Sequence, residues 1–189
     1  MQILTLLFCL STAFAENSKA DEAEYKRLST EMEKFSRKNV WDGVEKKYME
    51  LQKLGIPIAA NEYIIAAQSA QERGDILTAK HRLELALELD DQNKTREWYE
   101  ELDLQYGDVT LISRSKDFRT LNYEGVIASP AQAKAIEYAR KVLVETGAFT
   151  GVLPYGTYNF GGQQFQVVAG MTIHLELSPH LKNKLNKSN

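Results

Sequence analysis

The sequence predicts an α+β protein in which N-terminal α-helical hairpins precede a small β-rich domain containing one helix. Three observations predict it. Between about 21 and 106 the apolar residues recur three and four apart with almost no proline or glycine, which is the helical period. From Gly107 onward, glycines, prolines and alternating β-branched or aromatic residues signal strands. Between Pro130 and Thr146 a single helical stripe interrupts the strand pattern. The expected units are therefore a leader at 1–15, a helical domain at 21–106, a β-rich domain at 107–178 and a polar tail at 179–189.

The leader, "MQILTLLFCLSTAFA", reads as a signal peptide: an apolar core at 3–10, then small residues ending in Ala13, Phe14 and Ala15. Only the amino terminus supplies positive charge ahead of that core. Crossing a bilayer takes about 20 apolar residues, so no transmembrane helix is expected in the mature chain. Cys9 is the only cysteine, and Phe8 stands before it where a lipoprotein signal needs a small residue. Lipid attachment is not expected, and removal of the leader leaves no thiol for a disulfide, a nucleophile or a metal ligand. The expected location is outside the cytoplasm, in a periplasm or secreted. With 23 basic against 26 acidic side chains and a pI near 5.7, the chain lacks the positive field that phosphate backbones demand, so nucleic acid is not an expected partner.

The first hairpin is expected from Leu28, Met32, Phe35, Asn39, Val44, Tyr48 and Leu51. Gly55 and Pro57 in "LGIPIAAN" end its second helix, and Asn61 is expected to cap the next. The second hairpin puts Tyr63, Ala66, Ala67 and Ala70 on one helix face and Ala79, Leu83, Ala86 and Leu87 on the other. Alanine stripes let two helices approach closely. The charges Lys80, Arg82, Glu84 and Glu88 are expected on the outer side. Between these helices lies Arg73-Gly74-Asp75, a tripeptide that also spells an adhesion signal. Turn chemistry predicts otherwise: Gly74 ends one helix and Asp75 caps the other. A further helix, "KTREWYEELDLQYG", carries Trp98, Leu102 and Tyr106 onto the open end of the second hairpin.

Residues 60–91 resemble a tetratricopeptide repeat (TPR) through Tyr63, Ala66, Ala67, Ala70, Gly74, Ala79, Leu83 and Ala86. Ala70 and Leu83 replace aromatic residues of that family, and Asp91 replaces its proline. The preceding hairpin resembles a more degenerate copy, offset by one extra residue. The resemblance implies a concave face on the first helix of each repeat, formed by Lys26, Ser29, Glu33, Arg37, Asn61, Ile64, Gln68 and Gln71. It implies a peptide or another protein as ligand, without the lysine and asparagine pairs that clamp chaperone carboxylates.

In the C-terminal part, "DVTLIS" at 108–113 alternates as a strand. A helix follows, with Ser129 as N-cap, Pro130 in its first turn and Gly147 at its end, and Ile136, Ala139, Val142 and Leu143 form its apolar stripe. A hairpin is expected with Gly161, Gly162, Gln163 and Gln164 as its loop, setting Phe160 against Phe165 and Tyr158 against Val167. A last strand at 171–177 turns Ile173, Leu175 and Leu177 inward and Thr172, His174 and Glu176 outward. Leu153, Pro154, Gly156 and Tyr158 give 151–170 a resemblance to PEGA-type or carboxypeptidase-regulatory-like β-sandwich modules, although those modules lack the helix.

The chemistry on offer is thin. His81, His174 and His180 are scattered, and His174 with Glu176 supplies only two metal ligands where three or four are usual. No phosphate loop, nucleophile elbow or dinucleotide fingerprint is present. Glu84, Glu88, Asp90 and Asp91 read as a solvated helix face, and Trp41, Tyr48, Trp98 and Tyr99 as packing groups. The expected function is a non-catalytic scaffold that binds protein, with no cofactor and no metal, and with self-association as a further possibility. The alternative is an enzyme accessory or hydrolase-like domain with its site in the C-terminal half.

Overall fold

The computed structural model describes residues 3–178, with side chains from residue 19 onward. The polar tail read at 179–189, with His180, lies outside the described residues, as do the side chains of the leader. The chain is α+β. Five helices come first: α1 (Ile3–Ser36), α2 (Trp41–Lys53), α3 (Ala60–Glu72), α4 (Ile76–Leu89) and α5 (Asn93–Gln105). The β region follows without a linker as β1 (Tyr106–Ser113), β2 (Leu121–Tyr123), α6 (Pro130–Thr146), β3 (Ala148–Pro154), β4 (Gly156–Phe160), β5 (Gln163–Val167) and β6 (Ile173–Leu177).

The first hairpin, α1 with α2, closes over Leu28, Met32, Val44, Tyr48 and Leu51, all buried together with Ala66 of α3. Asn39, the one non-glycine residue with positive φ among those described, makes its turn. The second hairpin is α3 with α4, and Ala66, Ala67, Ala70, Ala79 and Ala86 are fully buried between or beside its helices. Asn61 does not cap α3. It lies inside the helix, and Ala59 precedes it at the N-cap with no side-chain cap. The hydroxyl of Tyr25 accepts a hydrogen bond from the Ala59 amide at 3.0 Å, so a tertiary contact sets where α3 begins.

Among the described residues six strands form two sheets, ordered β3-β1-β6 and β2-β4-β5. β1 is antiparallel to β3 and parallel to β6. Between them Val109, Leu111, Leu121, Phe149, Leu153, Tyr158, Phe160, Val167 and Leu177 make one core with Ile136, Ala139 and Leu143 of α6. The ends of α6 follow sequence logic: the Ser129 hydroxyl accepts from the Gln132 amide, Pro130 opens the helix, and Gly147 at φ 82° closes it.

The β4–β5 hairpin is tighter than the sequence predicts. Gly161 (φ 54°) and Gly162 (φ 95°) alone form the turn, since two consecutive positive φ angles match the twist of a two-residue loop. Gln163 and Gln164 join β5, so Tyr158 opposes Phe165 and Gly156 opposes Val167. The slip is by two residues, which preserves the faces. Tyr158 stacks on Phe165 with centroids 5.4 Å apart. The last strand likewise begins at Ile173 rather than at Met171.

The helical and β regions share an apolar cluster: Ala67, Ala70, Ile76, Ala79, Leu83, Leu102 and Tyr106 meet Ala135 of α6 and Val152 of β3. The Arg73-Gly74-Asp75 turn is the hinge pin of this junction. Asp75 accepts from the Thr78 amide, as an N-cap should, and also from the Tyr138 hydroxyl at 3.1 Å. Gly74 is buried against the backbone of α6, while Lys134 reaches Glu72 at 2.6 Å. The fold thus engages Gly74 and Asp75, as the turn reading expects.

Burial also ties several tyrosines to stability. It raises Tyr106 to about 12 and, with Asp75 beside it, Tyr138 to about 12; it raises Tyr158 further still, with a hydroxyl that donates to the Pro154 carbonyl. An unfolded tyrosine ionises near 10, so between about 10 and 12 the folded state keeps protons that the unfolded state has lost. Stability is fully present below about pH 10 and declines as pH rises above it. Titration followed by tyrosinate absorbance is expected to show the ordinary tyrosines first, then a steep step that coincides with loss of circular dichroism. A single smooth phase with the fold intact would contradict this.

Candidate partner-binding surface

α1 and α3 lie side by side. Besides the bond from Ala59 to Tyr25, the Ser29 hydroxyl donates to Glu62 Oε1 at 2.6 Å. This places seven of the eight predicted groove residues on two adjoining helices at spacings of three and four, with Arg37 in the turn just past α1. They do not all play one role. Ser29 is engaged with Glu62, and the Gln71 carbonyl oxygen accepts from Trp98 Nε1 at 2.9 Å, which ties α3 to α5. Both therefore support the surface instead of offering free groups. Lys26, Arg37, Asn61 and Gln68 are exposed, Ile64 is half-buried, and Glu33 pairs with Arg37 at 3.0 Å.

Open depressions among the described residues include predicted ones. One, at the end of α1, is lined by Thr30, Glu33, Lys34, Arg37 and Lys38, three cations around one carboxylate. The other, at the start of α3, is lined by Pro57, Ile58, Asn61, Ile64, Leu89, Asp90 and Gln92. The second draws on the α4–α5 turn, which sequence spacing within α1 and α3 does not reach. An available signal was Leu89, an apolar residue followed directly by Asp90 and Asp91; it is 59% exposed.

What holds this surface in shape is a charged contact that the sequence places wrongly. Arg82 is not on the outer side of α4: it is 7% exposed and bonds both oxygens of Glu45 at 2.7 Å, the Ala66 carbonyl at 2.8 Å, and the Tyr48 ring face at 4.3 Å. Arg73 adds a second cation 3.3 Å from Glu45. Helix periodicity puts Arg82 at the edge of the apolar stripe, and Glu45 reaching over from α2 turns it inward. Burial alone would raise the Glu45 carboxyl, but the hydrogen bonds and charge of Arg82, with Arg73, outweigh it and hold it below the usual carboxylate range. One guanidinium thus joins α2, α3 and α4.

In the C-terminal half, His174 is exposed on β6 opposite Thr110, and Glu176 pairs with Arg114 at 2.8 Å. His81 is exposed on α4 beside Glu84. Among the described residues no group of three or more His, Cys, Asp or Glu side chains is placed to hold a metal ion, and no helix is long and apolar enough to cross a membrane. Tyr48 is buried, and Trp98 and Tyr99 pack against the apolar cluster shared with the β region.

The chain is thus an α+β protein in which two helical hairpins and a fifth helix are locked onto a pair of three-stranded sheets. Compared with known proteins, it matches no family model, no curated protein and no solved structure.

Proposed function

We propose that this chain is an exported, non-catalytic adaptor of a bacterial periplasm or cell envelope, and that the α1/α3 face grips a peptide or a segment of another protein. The observation that carries it is the contrast between the two sides of α3. One side is clamped by Arg82, Glu45 and the α6 junction, while Asn61 and Gln68 stay exposed on the other, as do Lys26 of α1 and Arg37 just past its end. A surface held rigid from behind loses little conformational entropy when a partner arrives. Its mixture of cations, amides and the half-buried Ile64 suits a polar segment with an apolar anchor. The TPR resemblance of 60–91 supports the same use of this face, and the signal-like leader supports export.

A photo-crosslinking residue at Gln68 is expected to capture a discrete partner in the envelope of the native host, whereas the same residue at His81 of α4 captures none. Arg37→Glu should cut that yield roughly tenfold, equivalent to about 1.4 kcal/mol. Equal capture from both positions would remove the α1/α3 face as the site.

A further inference from the structure

We propose that a second copy of this chain pairs with the first along β6, antiparallel about a two-fold axis at Leu175, which would join the two β3-β1-β6 sheets into one. This does not depend on what the helical face binds. β6 lies at the edge of its sheet and is hydrogen-bonded to β1 alone among the described strands. Such an edge presents a row of backbone donors and acceptors. Proteins usually blunt it with lysine, proline or a bulge. Ile173–Leu177 contains neither lysine nor proline and pairs with β1 in unbroken register.

The sequence of this edge is complementary to its own reverse. Centred on Leu175, an antiparallel partner brings His174 opposite Glu176 of the second copy, twice over, and Ile173 opposite Leu177. Just outside, Thr172 meets Ser178. Every position thus faces a compatible one, an imidazole donor against a carboxylate, apolar against apolar, hydroxyl against hydroxyl, and directly opposed pairs are the unit of sheet stabilisation. Parallel pairing in register would instead oppose His174 with His174 and Glu176 with Glu176. The inward residues Ile173 and Leu175 are only half-buried in the single chain, so a second copy would cover apolar surface that β1 leaves open. Glu176 keeps Arg114 beside it on the wet face, which adds positive charge next to that carboxylate.

The other edges do not have this property. β5, centred on Phe165, would oppose Gln163 with Val167; β3 ends in Pro154 and packs against α6 and α4; β2 has three residues. β6 is also the last of the described strands.

Sedimentation equilibrium of the purified chain over a concentration series is expected to show the mass rising from one chain towards two. His174→Glu, an exposed change that sets two like-charge pairs across the axis, should raise the dissociation constant about tenfold. Adding Glu176→Lys to it should restore the wild-type value to within about twofold. In a Cys9→Ser background, oxidising a mixture of His174→Cys and Glu176→Cys chains should cross-link one to the other, while neither variant alone cross-links. A monomer at every concentration, a dimer indifferent to His174→Glu, or cross-linking by either cysteine variant alone would overturn the proposal. Unchanged circular dichroism of each variant shows that the fold is not what was lost.

Discussion

Gly74→Ala is expected to cost about 3 kcal/mol of unfolding free energy and to loosen the helical hairpins from the β region. Two effects add. At φ 87° an L side chain is strained, a cost of about 1 kcal/mol. The new methyl would also lie 2.2 Å from the Lys134 carbonyl oxygen and 2.9 Å from Tyr138 Cβ, so α6 must move away. That movement strains the Tyr138 hydrogen bond to Asp75 and the Lys134 pair with Glu72. Gly55 is the control: its φ is 68°, yet nothing lies within 4 Å of the same methyl, so Gly55→Ala should cost only about 1 kcal/mol. Denaturant unfolding measures both, and trypsin should cut after Arg73 in the Gly74 variant far sooner than in wild type. Equal costs at the two glycines would show that the turn is not packed on α6.

Arg82→Ala should be about as damaging, roughly 3 kcal/mol, because it removes one partner of a largely buried pair and leaves Glu45 with only Arg73, 3.3 Å away. The Ala66 carbonyl loses a donor and the Tyr48 ring loses its cation in the same step. The pH dependence identifies the cause. Glu45 has a lowered pKa in the folded state, so its contribution is complete above the unfolded value near 4.5 and disappears as pH falls through the folded one. Without Arg82, only Arg73 still opposes the effect of burial on the Glu45 carboxyl. The stability gap between wild type and Arg82→Ala should therefore be largest near neutrality and shrink on acidification below about 4.5. A gap of constant size from pH 7 to pH 3 would mean that packing, not charge, is what Arg82 provides. A double-mutant cycle with Glu45→Ala should show strong coupling, since the two side chains touch.

Both variants bear on the proposed surface. α3 carries Asn61, Ile64 and Gln68, and its position is held by Arg82 behind it and by the Gly74 turn at its end. A loosened α3 would weaken capture at Gln68 even though neither Gly74 nor Arg82 belongs to that face. The β6 dimer, formed at a strand remote in the topology from both, should survive each change in any chain that still folds.

Local chemistry sufficed where an element depends on its own residues. The alanine stripes of α3 and α4, the Gly74–Asp75 turn, and α6 from Ser129 to Gly147 were all legible, because a positive-φ glycine, a capping side chain and a 3.6-residue stripe act within a few residues of chain. The α+β class followed from the switch in period near Gly107. Most of what failed needed a partner distant in the chain; the β4–β5 turn, two residues shorter than expected, is the local exception. Tyr25, not Asn61, positions the start of α3; Glu45 turns Arg82 inward; Trp98 claims Gln71, and Glu62 claims Ser29. A hydrogen bond between residues some thirty positions apart leaves no trace in the periodicity of either segment. The sequence by itself thus determined the helices, the switch to strands and which faces are apolar, though not the short strand β2. Tertiary structure decided which polar groups on those faces remain free, because a buried donor or acceptor must find a partner, and that partner comes from whichever element packs beside it.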